Sequence, residues 1–422
     1  MELATLVICF LCLMVMSVPI AYNLILSSLA YMIVSDVPII IITQKMYEGM
    51  NSFSFLAVPF FVLTGQLMLK GKLLESLIDF VNAYFGRFNG AIAIVTIGAS
   101  LLMGSIVGLA VAAAASLGVF LIPMMRKEGY SAAFSAGVMS SASLLGPIMP
   151  PSVLMILYCM SVGRTSIAGL FMAAIIPAIL IVGVQMFIAH RIATKRGYKA
   201  HGQATAAQKI AATKKAFPAL MLPVIILGGI FSGIFTITEA SAVAVLYSGF
   251  LAFCVNRSVK LKDIPDMFLD AASTTGLVLL LAGAVMAWAI ANERVLDSLI
   301  GPLSTMPWWL FLICVNILLL IVGCFMDDYA SIVILAPIIA PLAWQVGIDP
   351  IHIGLVICMN LVVGLATPPF GITLFVTSPI AGVRIEDTVK EAIPFIAATI
   401  GVLMLVTFCP KLVLFLPRLA GY

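Results

Sequence analysis

Gly146-Pro147-Ile148-Met149-Pro150-Pro151-Ser152 interrupts one apolar stretch of the chain, and Ala366-Thr367-Pro368-Pro369-Phe370-Gly371 interrupts another. Proline removes a backbone donor and clashes with the preceding helical turn, whereas glycine adopts dihedral angles that other residues avoid. Carbonyl groups freed at such a break cannot face lipid. The two breaks therefore predict interrupted helices whose free carbonyls line a cavity or bind a polar species. A single break of this kind could equally be a kink that serves helix packing.

The breaks belong to an internal repeat, because Pro150 and Pro368 are 218 residues apart and other breaker residues share that offset. The pairs are Gly65/Gly283, Pro123/Pro341, Gly129/Gly347, Gly146/Gly364, Pro150/Pro368 and Pro151/Pro369. Six shared positions in one register indicate a duplication. Paired breaks in a duplicated unit favour a binding role over packing kinks alone.

The composition around the breaks is that of a membrane protein. Of the 422 residues, 63% are hydrophobic and only 9% are charged, whereas soluble proteins carry about 25% charged residues. Apolar runs close to the roughly 20 residues that a membrane-spanning helix needs recur at 3–20, 217–234, 240–255 and 393–416. We predict an all-α polytopic membrane protein, and we interpret the first run as an uncleaved helix because Met1-Glu2 carries no positive charge.

Basic segments indicate how the chain is oriented. Residues 191–215 contain no acid and seven cations, Arg191, Lys195, Arg196, Lys199, Lys209, Lys214 and Lys215. A second basic segment holds Arg257, Lys260 and Lys262. The positive-inside rule makes both cytoplasmic. The net charge of +4 is thus an orientation signal and not a sign of nucleic-acid binding.

The repeat and the basic segments together predict the domain organisation. We expect N-terminal scaffold helices at 1–53, a first repeat at 54–190 with a hairpin at 91–124, a cytoplasmic basic loop at 191–215, connecting helices at 216–272, and a second repeat at 273–422 with a hairpin at 309–342. If both hairpins are re-entrant, each repeat crosses the membrane three times, and the repeats are inverted. Under that topology 17 of the 22 lysines and arginines are cytoplasmic. Inverted repeats with broken helices are typical of secondary transporters.

Ionisable residues at membrane depth are candidates for function, because a carboxylate there is costly unless it is paired or ligating. Asp327 either ligates or orients a cation, or occupies an aqueous position at a hairpin tip. We expect Asp328 to face water, since one of two adjacent acids usually does. Glu239 is either a functional carboxylate or a charge at a helix N-terminus that Thr238 caps.

An enzyme is excluded for lack of catalytic parts. His190, His201 and His352 are scattered and build no metal cluster or catalytic triad. No nucleotide-binding Walker A pattern occurs. Transport energy must therefore come from an ion gradient or from another subunit.

Four ordered motifs suggest a family. They are Ala57-Val58-Pro59-Phe60-Phe61-Val62-Leu63-Thr64-Gly65, the two Pro-Pro breaks, and Gly228-Gly229-Ile230-Phe231-Ser232-Gly233-Ile234-Phe235 followed by Thr238-Glu239. Together they resemble the large membrane (M) subunit of tripartite ATP-independent periplasmic (TRAP) transporters of the bacterial inner membrane. The resemblance implies an elevator-type carrier that imports an organic anion, a carboxylate or sugar acid, by symport with sodium ions. It also implies two partners, a periplasmic substrate-binding protein and a small four-helix membrane subunit, which we expect to be a separate polypeptide.

The resemblance also implies sites. Sodium would bind at the hairpin tips and the facing breaks, with one ion at Ser105, Gly108, Gly146 and Pro150 and another at Gly323, Asp327, Thr367 and Gly371. Ser152 matches a serine near the substrate, and Asn360 and Thr373 are further substrate candidates; for each of these, a helix-cap role is the alternative. The first tip departs from the family pattern at Val107, Leu109 and Ala113, where serine and aspartate are usual.

Two other functions fit parts of the pattern. A stand-alone sodium/divalent-anion symporter of related architecture would transport without partners. A channel or a non-transporting membrane scaffold would need the helices but not paired interrupted hairpins. The sequence does not reveal which acid is carried, the sodium stoichiometry or the oligomeric state.

Overall fold

Helices form all the regular structure in the part of the chain that the structure describes, and no strand occurs there. The structure is a computed structural model, and it describes residues 2–198, 200, 202–282, 285–293 and 306–422, with the backbone alone at 2, 3, 105–107 and 282. Gly283 of the repeat and Lys199 and His201 of the basic segment lie outside the described residues. Within them, nine helices are long and apolar enough to span a membrane, or ten if a bent pair counts as one span. The prediction of an all-α polytopic membrane protein is confirmed.

The first half of the chain forms helices α1 to α11. Their bounds are α1 Glu2–Val15, α2 Ile20–Val34, α3 Ile40–Met50, α4 Ala57–Lys70, α5 Leu73–Phe85, α6 Ala91–Val107, α7 Ala110–Lys127, α8 Ala132–Ser143, α9 Leu145–Ile148, α10 Val153–Val162 and α11 Ile167–Arg196. The described residues of the second half form α12 Ala206–Phe231, α13 Ile237–Phe250, α14 Ile264–Ala282, α15 Met286–Asn292, α16 Trp308–Phe325, α17 Asp328–Gln345, α18 Pro350–Gly364, α19 Ile372–Ala381, α20 Ile385–Phe408, α21 Pro410–Val413 and α22 Phe415–Leu419.

Two helix pairs occupy the positions of the predicted hairpins. Only Gly108 and Leu109 separate α6 from α7, and only Met326 and Asp327 separate α16 from α17. Gly108 ends α6 with a φ of +69°, a left-handed conformation that glycine adopts without the cost of a Cβ atom. We call the connection at Gly108 and Leu109 the first tip and the connection at Met326 and Asp327 the second tip.

The Pro-Pro motifs break two helices, as their composition predicts. The first break separates α8 and α9 from α10, which is bent by 47° relative to them. The second break separates α18 from α19, and Gly371 begins α19 with a φ of +60°. The Pro150-Pro151 and Pro368-Pro369 peptide bonds are both cis.

The hairpins and broken helices pack crosswise. Helix α7 of the first hairpin packs against α19 of the second broken helix, and α17 of the second hairpin packs against α10 of the first. Each hairpin also lies on its own broken helix. In the first repeat α6 packs on α8 and α9 and α7 packs on α8, and in the second repeat α16 and α17 both pack on α18. This arrangement brings both tips and both breaks into one bundle, which we call the core bundle.

A second group of helices, the frame, packs beside the core bundle. Helix α4 contacts α13 and α14, and α12 lies on α5 and α13. Helix α1 pairs with α2, α3 packs on α14, and α15 packs on α2. The predicted basic loop is shorter than expected, because α11 continues to Arg196 and α12 begins at Ala206. Cations in the last turn of α11 are favourable there because they complement the helix dipole.

Two sequence-based interpretations are wrong in this part of the fold. The apolar run at 3–20 is not one helix, since α1 ends at Val15 and Pro19 precedes α2. A residue before proline is biased away from the helical region, which accounts for the break. The cap of α13 is Thr236 and not Thr238: its hydroxyl accepts from the Glu239 amide, and the Glu239 carboxylate accepts from the Thr236 amide. The two interpretations of Glu239 are a functional carboxylate and a charge at a helix N-terminus, and the structure shows the second arrangement.

Candidate functional site

In both repeats, the backbone of a hairpin touches the backbone of its broken helix at a pair of glycines. A Cβ atom added to Gly104 of α6 would lie 2.6 Å from the Cα of Gly146 in α9. A Cβ atom added to Gly364 of α18 would lie 2.5 Å from the carbonyl carbon of Gly323 in α16. At Gly104 and Gly364, no other residue type fits without a shift of the backbone. Each of the four glycines lies about one helical turn from its tip or break, so the contacts hold each tip beside its break.

The first tip and break hold three described members of the first predicted sodium site. Gly108 forms the tip, and a Cβ atom there would contact Val153 and the carbonyl oxygen of Pro151, just beyond Pro150. Gly146, in α9, lies across the glycine contact from Gly104 of α6. The side chains of Ser105 and Val107 lie outside the described residues.

Ser152 acts as the N-cap of α10. Its buried hydroxyl accepts from the amide of Met155 at 3.3 Å and donates to the carbonyl oxygen of Pro147 at 2.6 Å. These bonds span the first break and fix its shape. The helix-cap role, one of the two alternatives for Ser152, is present in the structure, and substrate contact stays a prediction.

The second predicted set is divided between the second tip, which holds Asp327, and the second break, which holds Thr367 and Gly371. Asp327 caps α17 by accepting from the Tyr329 amide at 3.2 Å. Thr367 donates from its hydroxyl to the Val363 carbonyl oxygen at 2.8 Å. The Cys324 thiol donates to the Pro368 carbonyl oxygen at 3.6 Å, and the rings of Phe325 and Phe370 are 5.2 Å apart. Tip and break are thus in direct contact.

Asp328 does not face water, contrary to expectation. Its exposed fraction is 3%, and its Oδ1 accepts from the Tyr329 amide at 3.1 Å. Position Asp328 begins α17, so the side chain turns back into the core bundle while Asp327, the cap, is partly exposed. Adjacent acids at a helix start point in different directions, and the sequence does not say which one is buried.

Tyr329 connects the two tips, and sequence reasoning missed it. Its buried hydroxyl donates to the carbonyl oxygen of Gly108 at 3.4 Å. That distance exceeds the usual O–H···O range of about 2.5–3.0 Å, so the bond is weak. The link depends on how α17 approaches the first hairpin, for which the sequence carries no signal.

Thr373 and Asn360 lie in different environments. The Thr373 hydroxyl is 2.8 Å from that of Ser140, which joins α19 to α8. Asn360 is fully buried and donates to Oδ1 of Asn316 at 2.7 Å. Asn316 in turn donates to the hydroxyl of Thr407 at 3.3 Å. Asn360 therefore belongs to an internal polar cluster one turn before Gly364, and not to the break itself.

Two cavities lie between the frame and the core bundle. One has a volume of about 430 Å³ and is lined by α4, α7 and α14, including Gln66, Leu109 and Thr274. The other has a volume of about 300 Å³ and is lined by α3, α10, α15 and α17. The 218-residue offset of the repeat relates the two linings. It pairs Leu69 and Ala115 of the first cavity with Ala287 and Val333 of the second. On the orientation that the basic segments predict, the first is the inner cavity and the second is the outer cavity.

Positively charged side chains are absent from the sequence of the tips and breaks. No lysine or arginine occurs at 104–109, 146–152, 323–328 or 366–371. Among the described residues, no group of three or more His, Cys, Asp or Glu side chains could hold a metal ion. The ligands on offer are backbone carbonyls, hydroxyls and the Asp327 carboxylate, a set that suits a hard monovalent or divalent cation and not a soft metal.

The sequence profile of a known family covers nearly the whole chain. The family is described as "Tripartite ATP-independent periplasmic transporter, DctM component", and the match spans residues 7–412. The chain belongs to this DctM family of TRAP transporters. The resemblance predicted from the motifs is thereby confirmed, and the protein is a multi-pass transporter subunit of the bacterial inner membrane and not an enzyme.

Individual relatives agree with the family match. The C4-dicarboxylate TRAP transporter large permease protein DctM of Pseudomonas aeruginosa is 37% identical over 382 residues, which is 89% of each chain. The sialic acid TRAP transporter large permease protein SiaM of Vibrio cholerae is 36% identical over 411 residues, or 96% of each chain. The isethionate TRAP transporter permease protein DctMQ of Oleidesulfovibrio alaskensis is 34% identical, and the match covers 95% of this chain but 64% of that one.

Solved structures with the same fold are also transporters by their descriptions. The Alcanivorax borkumensis YdaH transporter superposes with a TM-score of 0.62 at 14% identity, over 87% of this DctM-family chain and 86% of the other. Neisseria gonorrhoeae MtrF superposes with a TM-score of 0.58 at 12% identity. At such low identity the likeness concerns the fold alone.

Proposed function

We propose that this DctM-family subunit is the carrier of a sodium-driven importer for an organic anion, a carboxylate or sugar acid, which a periplasmic binding protein delivers. The observation that carries the proposal is the pair of glycine contacts, Gly104 with Gly146 and Gly323 with Gly364. Each contact holds a hairpin against its broken helix about one turn from the tip and the break, where free carbonyls would share an ion. Unwound carbonyls at midplane breaks coordinate sodium in secondary transporters.

The scarcity of positive side chains supports coupling to a cation. An anion that enters a site without lysine or arginine needs another source of positive charge, because an unpaired charge at membrane depth is costly. Sodium ions at the two tips would supply that charge. Binding of the anion would then require prior binding of sodium, which is the condition for symport.

The described relatives support an anionic substrate. They carry the names of C4-dicarboxylate, sialic acid, isethionate and 2,3-diketo-L-gulonate transporters. All four compounds are organic anions at neutral pH. The words "tripartite" and "large permease" support two partners, a periplasmic binding protein and a small membrane subunit.

The two cavities support an alternating mechanism. We propose an elevator-like movement of the core bundle against the frame, which enlarges the inner cavity and the outer cavity in turn. Sodium ions bound across tip and break would hold each hairpin closed during the movement. The inner cavity, at about 430 Å³, is now the larger of the two.

Uptake into proteoliposomes tests the proposed function. The subunit is reconstituted with its small subunit, and a panel of binding-protein-delivered organic anions is offered under an inward sodium or potassium gradient. We expect uptake above equilibrium with sodium only, and only with the binding protein present. Uptake by this chain alone would indicate the stand-alone symporter, and flux that stops at equilibrium in sodium would indicate a channel.

Pro150→Ala and Pro368→Ala are expected to reduce sodium-driven uptake to a similar and severe extent. Each substitution restores a backbone donor at the corresponding break and so changes which carbonyls are free. Pro223→Ala, which lies inside α12 of the frame, is the matched control and should retain uptake. A silent Pro150→Ala beside an inactive Pro368→Ala would contradict equivalent roles for the two breaks.

A further inference from the structure

The outer cavity contains a charge that the inner cavity does not. Among its described lining residues, Lys45 of α3 is the one lysine or arginine, and the described lining of the inner cavity has none. The other side chains facing it include Glu48, Phe55, Ser161 and Trp288. The cavity lining thus combines one cation and one carboxylate with hydroxyl and aromatic side chains.

Lys45 is paired in a way that a ligand could replace. Its Nζ lies 2.6 Å from Oε2 of Glu48. The two side chains are 35% and 63% exposed, and exposed ion pairs contribute little to stability. A carboxylate that enters the cavity can therefore exchange with Glu48 at small cost, and Glu48 can then turn toward solvent.

The cavity lies on the side from which the proposed function has the substrate enter. Met160 and Ser161 line it at the outer end of α10, close to Arg164, and Val333 and Pro337 line it on α17, which starts at the second tip. Val333 is the lining residue nearest the second tip, five positions along α17 from Asp328. An anion released on that side would pass Lys45 before it reaches the tips.

We propose that the outer cavity is a transit site for an organic anion, in which the Lys45 ammonium binds the anionic group of the substrate in exchange for Glu48. The site rests on the proposed function, because the anion and the direction of entry come from it. Lys45 attracts an anion into the cavity, and Glu48 restores the neutral pair once the anion has moved on. The inner cavity lacks such a pair, so release is not slowed there. The site changes the rate of capture and not the final gradient, which the driving ion sets.

Initial uptake rates at increasing concentrations of substrate-loaded binding protein test the transit site in the reconstituted complex under a sodium gradient. We expect Lys45→Gln to raise the half-saturating concentration by roughly tenfold, as loss of a charge-assisted contact would, with a smaller effect on the maximal rate. Lys45→Arg should restore uptake, since it keeps the charge. Glu48→Gln should leave the half-saturating concentration equal to or below that of the wild type.

Two controls separate the transit site from other roles of Lys45. Lys411→Gln removes an exposed cation of α21 outside the cavity and should not alter uptake. Binding of the substrate-free binding protein to the complex should be the same for the wild type and Lys45→Gln; a loss there would make Lys45 a docking residue and overturn the proposal. A wild-type half-saturating concentration for Lys45→Gln would also overturn the proposal. So would a Lys45→Arg variant whose half-saturating concentration is raised as much as that of Lys45→Gln. If the wild type carries no organic anion, the proposed function fails as well.

Discussion

Gly364→Ala is expected to abolish sodium-driven uptake, and Gly104→Ala should have an effect of similar size. The added methyl group would lie 2.5 Å from the Gly323 carbonyl carbon in one case and 2.6 Å from the Gly146 Cα in the other. Backbone atoms cannot rotate away as a side chain can, so the helices must separate. Overpacking typically costs about 1–3 kcal/mol, and here the separation also moves the carbonyls that form the proposed ion sites.

Uptake and thermal stability of the purified variants should be measured together. Gly401→Ala is the matched control, because a Cβ atom at this position of α20 meets open space; it should behave as the wild type. Gly146→Ala should be milder than Gly104→Ala, since its nearest atom would be 3.4 Å away. Full uptake by Gly364→Ala would show that tip and break need not touch, and would remove the main support for an ion site between them.

The breaks were the most predictable part of the fold. Proline and glycine act through local sterics, so the two Pro-Pro motifs suffice to predict that a helix is broken near Pro150 and another near Pro368. The membrane class was also predictable, since it depends on composition and on the length of apolar runs. Both features can be read without knowing which helix neighbours which.

The packing around the breaks was not predictable from local sequence. The contact of Tyr329 with Gly108 joins residues 221 positions apart, and the burial of Asp328 depends on how α17 is rotated. Asn360 is a substrate candidate because it is polar and near a break, and local sequence does not reveal that its amide nitrogen donates to Asn316 of a neighbouring helix. A polar side chain in an apolar helix indicates that a partner exists and does not indicate which one.

The altered first tip has a physical consequence. Leu109 and Ala113 provide no side-chain oxygen, and Ser105 is the one predicted ligand of this site that has one. An ion at this tip would otherwise depend on carbonyls, and one of those, at Gly108, already accepts from Tyr329. The second tip has the Asp327 carboxylate, and the break that it contacts has the Thr367 hydroxyl. We therefore expect the two tips to differ in their affinity for sodium, with the second one the stronger.

Asp327→Ala is expected to eliminate sodium-driven uptake, because Asp327 is the one partly exposed carboxylate among the described residues of the tips and breaks. The difficulty is that Asp327 also caps α17, and loss of a cap alone costs about 1 kcal/mol. Asp327→Asn separates the two roles, since asparagine is an equally good cap without the charge. We expect Asp327→Asn to fold normally and to need at least roughly tenfold more sodium for half-maximal uptake, as loss of a charged ligand predicts.

Asp349 provides the matched control for this experiment. It caps α18 by accepting from the amides of Ile351 and His352, and it lies away from the tips and breaks. Asp349→Ala should lower thermal stability to a similar degree as Asp327→Ala while its sodium dependence stays normal. If Asp327→Asn shows wild-type sodium dependence, the carboxylate is a cap and nothing more, and the second ion site must consist of carbonyls and the Thr367 hydroxyl.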